Sequence, residues 1–199
     1  MDVTGLAIAA AGAAILGGSI VGARSPTIHP AEARAFRFVN SWPDWLYVPL
    51  WLPMQLGNLL VGTVVGLVIA WVLGAIEVAV AVILAMALKL VVERVVRREL
   101  SQYMEVRQRP GTSEPGARLR GADVPHEGMS FPSGHVILVA AVGTVLTGHL
   151  DAGVALIPFL LAALVAVGRV FVGAHNPLDV TAGMGAGLLV GGILTALLS

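Results

Sequence analysis

The 199-residue chain balances 12 Lys and Arg against 12 Asp and Glu, and 57% of its residues are hydrophobic while only 12% are charged. With a mean hydropathy of +0.87, this composition excludes an ordinary soluble domain and describes a membrane protein, and the zero net charge argues against a nucleic-acid partner. Cysteine is absent, which excludes disulfides and thiolate metal sites.

A helix needs roughly 20 apolar residues to cross about 30 Å of hydrocarbon. By that measure six spans are predicted, at 3–22, 52–73, 76–97, 134–150, 152–172 and 178–198. The expected fold is all-α: a single domain over 1–199, built as a six-transmembrane-helix bundle with an interfacial segment and a long loop between helices 3 and 4. The first span has no basic residues ahead of it and is too long for the apolar core of a signal peptide. Residues 24–51 hold four prolines together with Trp42, Trp45, Tyr47 and Trp51. Such a segment belongs in the membrane–water interface, partly as a short helix through 31–39, and either guides a lipid headgroup or only anchors the chain.

Tight turns are expected at Gly74 and over 148–153, whereas the loop over 99–131 is too rich in Gly and Pro for a continuous helix. Loops of that length are usually functional or disordered. Small residues let membrane helices approach closely: Gly183, Gly187 and Gly191 recur every four residues on the sixth span, as do Gly62 and Gly66 earlier. The stripe on the sixth span packs either within one chain or between two; the oligomeric state stays open.

With spans in alternation, the ends of the third and fifth helices meet the starts of the fourth and sixth on one face. That face receives Arg109-Pro110, then FPSGHV over 131–136, then GRVFVGAHNPLD over 168–179. Ser133 is a suitable N-cap, which makes Gly134 and His135 the first helical residues of the fourth span. Unpaired amides and the helix dipole there form an anion site, and Gly134 admits a close approach to the backbone. Gly173 can end the fifth helix, and Asn176-Pro177 reads as the start of the sixth. His175 and Asp179 are four residues apart at that start. Asp179 either holds one imidazole nitrogen and leaves the other as a nucleophile, or only completes a helix cap.

These residues resemble the superfamily of type 2 phosphatidic acid phosphatases and vanadium haloperoxidases. Its pattern has three parts: Lys, six residues, Arg-Pro; then Pro-Ser-Gly-His; then Ser-Arg, five residues, His, three residues, Asp. The second part is complete at 132–135, and the third runs from Arg169 through His175 to Asp179 with Gly168 in place of Ser. In the first part Arg109-Pro110 matches, but Gln102 stands where the family has Lys. Arg98, Arg107 and Lys89 are candidates for the missing cation.

The resemblance implies a membrane lipid phosphatase that works without a metal or other cofactor, in two phosphoryl-transfer steps. His175 would take the phosphoryl group, Asp179 would fix its tautomer, and His135 would protonate the leaving oxygen and then activate water. Arg109, Arg169, Ser133, Gly134 and, at the departing position, Gln102 would contact the phosphate. The substrate is expected to be a lipid phosphate: a polyprenyl phosphate or diphosphate, a lipid-linked sugar phosphate, phosphatidic acid or phosphatidylglycerol phosphate. Haloperoxidase chemistry is disfavoured because that branch's soluble members lack such spans. A phospholipid-binding or translocating protein that has kept the pocket and lost turnover is the alternative, supported by Gln102.

The remaining histidines fit less well. His149 is carried to the opposite face, His126 beside Glu127 reads as a solvated loop residue, and His29 between prolines has no evident partner. All 12 Lys and Arg fall in or beside loops on the motif face. The positive-inside rule therefore places that face in the cytoplasm of, by expectation, a plasma-membrane protein.

Overall fold

The first helix and the last lie antiparallel at backbone contact, and glycine is the reason. In the computed structural model, which describes residues 3–25, 27–103 and 107–198 and omits the side chains of 96, 97 and 100–103, α1 is Val3–Gly22 and α9 is Pro177–Leu198. A β-carbon at Gly12 would meet Leu189 N at 2.4 Å, and one at Gly192 would meet Ala9 N at 2.5 Å. The opposite stripe of α9 packs in parallel on α7, Gly134–Thr147. There a β-carbon at Gly183 would lie 2.7 Å from Ser133 O, one at Gly187 2.5 Å from the Ala140 Cβ, and one at Gly191 2.6 Å from the Thr144 Cβ. The sixth-span stripe thus packs within one chain, and it joins two neighbours through two glycine faces.

Between α1 and α7 the chain forms α2 (Pro30–Asn40), α3 (Tyr47–Met54), α4 (Leu59–Leu73), α5 (Ile76–Tyr103) and α6 (Pro110–Ser113), and α8 (Ile157–Phe171) precedes α9. Helices occupy all six expected places, and the short interfacial helix is α2. Length alone supports fewer complete crossings: α1 and α9 are long and apolar enough unaided, α7 and α8 are shorter apolar helices, and the second expected span is broken.

The break corrects the reading of 52–73 as one helix. The segment Asp44–Gly57 meets α4 at 75°. Pro53 falls inside α3, and Asn58 leaves the helical region and caps α4, its Oδ1 accepting from the amides of Leu60 at 3.0 Å and Val61 at 3.3 Å. A cap satisfies amides that a continuous helix would bond to its own carbonyls, so the chain turns there. Two further bounds shift: α5 runs six residues past the expected end at 97, and the connection before α8 extends through Leu156.

On the motif face, the loop between α5 and α7 is tied down. Gln108 pairs antiparallel with Met129 as an isolated bridge. Arg120 lies buried, bonding the carbonyls of Asn40, Trp42 and Phe171 and the carboxylate of Asp44, with its guanidinium 4.2 Å from the Phe171 ring centroid. Asn40 reaches both Arg118 and Phe171. The interfacial helix, the long loop and the end of α8 are locked together. The loop over 107–133 is therefore structural as well as a bearer of motif residues.

Candidate active site

The turn between α8 and α9 sets the geometry. Gly173, with φ +79°, sits just beyond the cap Val172. Its amide bonds Val170 O at 3.0 Å and that of Ala174 bonds Arg169 O at 3.0 Å, the paired closure of a Schellman motif. A side chain at Gly173 would also meet Arg118 O at 2.6 Å. This closure delivers His175 to the first turn of α9.

There His175 and Asp179 are both buried, and His175 Nδ1 lies 3.8 Å from Asp179 Oδ2. The separation exceeds a hydrogen bond. Asp179 itself is fixed from both sides. Oδ2 accepts from the Asn176 amide at 2.7 Å, and Oδ1 accepts from Arg107 Nε at 2.8 Å. Of the two alternatives for Asp179, the cap on α9 is formed, and the carboxylate lies beside the imidazole without a hydrogen bond to it.

Arg107 bridges further, bonding the Glu32 carboxylate from α2, which also accepts from the Leu178 amide at 2.9 Å. Two carboxylates therefore meet the positive end of α9. Burial pushes the His175 imidazole below the ordinary histidine range, against the opposing pull of Asp179.

Around this pair the structure gathers the other predicted residues. Ser133 occupies the cap position of α7, but its side chain makes no cap bond, which corrects the expectation of an ordinary N-cap. Among the described residues, four buried polar side-chain atoms lack a protein partner: Ser133 Oγ, Arg169 Nε, His175 Nδ1 and Asn176 Oδ1. Burying such groups unpaired costs about 1–3 kcal/mol each, so a cluster of them marks a place built for a ligand. Arg109 donates to Ala174 O at 2.9 Å, against the backbone preceding His175. His135 lies within electrostatic reach of Arg169, His175, Lys89 and Arg109. It lines a polar cavity of about 40 Å³ with Arg169, Asp123, Asn58, Tyr47 and Trp51, so two aromatics of the 24–51 segment are part of its wall.

Gln102 is in the last turn of α5, and its side chain lies outside the described residues. Arg98 is exposed, and because α5 ends at Tyr103 the helical register relating it to Arg109 does not hold. His29 does find a partner: its Nδ1 caps α2 by accepting from the Ala31 amide at 3.2 Å. His149 and His126 are exposed, as expected. Sequence reasoning missed Glu32, Asn176 and the role of Arg107. Only the extended spacing of Arg107 and Arg109, which puts them on one face, hinted at the last.

Comparison with known proteins gives the class. Residues 74–199 match the PAP2 superfamily; the chain belongs to it, in the membrane lipid phosphatase branch. Among solved structures it is similar to LpxE of Aquifex aeolicus, with a TM-score of 0.70 and 25% identity over 82% of this chain and 93% of that one. It is also similar in fold to the transmembrane PAP2-type phosphatidylglycerolphosphate phosphatase of Bacillus subtilis, with a TM-score of 0.59 and 23% identity over 97% and 91%. No curated protein matches the chain.

Proposed function

We propose that the protein hydrolyses a phosphomonoester or diphosphate of a membrane lipid through a phosphohistidine at His175. The observation that carries this is the cluster of unpartnered, buried Ser133 Oγ, Arg169 Nε and His175 Nδ1 beside a carboxylate held by Arg107 and Asn176. The phosphoryl oxygens would take the Arg169 guanidinium, the Ser133 hydroxyl, Arg109 and the Gly134 amide, a charge-assisted set suited to the transition state. Asp179 would close on Nδ1 of His175 and fix the tautomer, so that Nε2 attacks phosphorus while His135 protonates the leaving oxygen. Deprotonation of water by His135 would then release orthophosphate and restore the imidazole. No metal enters this reading, which rests on the donors named.

A lipid substrate is favoured by an apolar groove of about 280 Å³ between α4, α7 and α8. It begins at Leu56 and Val139, one turn below His135, and continues past Val142 to Leu146. A chain of the substrate would lie there with its phosphate at the polar cavity. The test is release of inorganic phosphate from a panel of polyprenyl and glycerolipid phosphates, with EDTA present, beside His175→Ala. Release abolished by the substitution supports the reading and names the lipid class. Binding without release by either form would point instead to a phospholipid-binding protein.

A further inference from the structure

One charged pair stands in the apolar part of α5. Lys89 Nζ lies 2.7 Å from Glu93 Oε2, with the side chains only 12% and 15% exposed. An exposed pair at this spacing would be ordinary surface chemistry, but this one is desolvated inside a span, where ionisable groups are costly and mark function. Its position is specific. The Glu93 carboxylate lies against Gly134, the first residue of α7: a β-carbon there would be 2.6 Å from Oε2. The cap residue Ser133 leaves the first amides of α7 without its side chain, so an oxyanion of the protein stands at the positive end of the helix. The unpartnered Ser133 Oγ is its neighbour in sequence, Arg169 Nε and His175 Nδ1 complete the cluster, and Lys89 is within electrostatic reach of His135.

We propose that Lys89 is a phosphate-binding residue and that Glu93 is its placeholder, neutralising the ammonium and the α7 terminus until phosphoryl oxygens displace it. This rests on the reading that the cluster receives a phosphoryl group. The other candidate cations are worse placed. Arg107 is held between the carboxylates of Asp179 and Glu32. Position 102 is nine residues beyond Glu93 on the same helix, about 14 Å along its axis. Lys89 is one helical turn from Glu93 and within electrostatic reach of His135.

Orthophosphate binding to the purified full-length protein in detergent, read by phosphate-dependent thermal shift, tests this without requiring turnover. Lys89→Met is expected to weaken binding by at least about tenfold, the lower bound for a charge-assisted contact, and Lys89→Arg to retain most of it. Glu93→Gln is expected to tighten binding, because a competing anion is removed. Wild-type affinity in Lys89→Met, or weakened binding in Glu93→Gln, would overturn the proposal and leave the pair a structural one. If either single variant misfolds, the charge-free Lys89→Met/Glu93→Leu decides: lost phosphate binding in a folded bundle supports the proposal, and wild-type affinity refutes it. Absence of orthophosphate binding by the wild type also refutes it. A wild type that binds phosphate yet cleaves no lipid phosphate would sink the phosphatase reading alone, since the variants still report on Lys89.

Discussion

Asp179 has both oxygens engaged before any substrate arrives, one by Arg107 and one by the Asn176 amide. Its carboxylate therefore cannot drift from the imidazole by rotating. Asp179→Asn keeps the shape but loses the charge that orients and stabilises His175, and phosphate release is expected to fall by about 100-fold or more. Arg107→Met leaves the buried Asp179 and the partly buried Glu32 without their cation and should lower stability by about 3 kcal/mol, visible as an earlier thermal transition. The imidazole must be neutral to attack, and burial holds it below the ordinary value of 6.5. Protonation is thus postponed to lower pH, and the acid limb of kcat/KM should fall below pH 6.5; a limb set by His175 above that value would contradict the assignment. The spacing of His175 and Asp179 was legible in the sequence because only the three residues at the start of α9 separate them. Arg107 and Glu32 were not, because Glu32 reaches the Leu178 amide across 146 positions, and no local pattern encodes that contact.

Among the elements, α9 carries the architecture, with one glycine face against α1 and another against α7. Gly187→Ala places a methyl where the Ala140 Cβ and Ile137 O already stand, at 2.5 and 2.6 Å. It should destabilise the bundle by about 1–3 kcal/mol, whereas Gly17→Ala, with nothing within 4 Å, should be near neutral in the same thermal melt. The four-residue spacing announced a packing face, yet the sequence could not say which helix it met. The break at Asn58 was hidden for another reason: apolar residues continue through it, so hydropathy sees one span where Pro53 and the Asn58 cap make a corner. That corner brings Gly57 against His135 and Leu56 into the wall of the groove. Val65→Trp, which narrows the groove, should raise KM for a long-chain lipid phosphate and leave a short soluble phosphate ester unaffected; equal effects on both would remove the groove from the substrate path.

For the molecule as a whole, charge and topology place all the motif residues on one face. The count of basic residues behind the orientation needs revision, since Arg107, Arg109, Arg120 and Arg169 are bound into the site or the loop clamp. Arg24, Arg34, Arg94, Arg98 and Arg118 remain exposed there, and from these we propose a cytoplasmic face by the positive-inside rule. With no native cysteine, Glu127→Cys in the exposed loop should resist an impermeant thiol reagent in intact cells; labelling would put the site outside. The central claim is that His175 carries the phosphoryl group. The most direct measurement uses an aryl phosphate, whose leaving group needs no protonation, and His135→Ala, which lacks the base for the second step. After an alkaline quench, peptide mass spectrometry should find one phosphoryl group on His175. Turnover with no phosphorylated His175, or a phosphoryl group on another residue, would contradict the account.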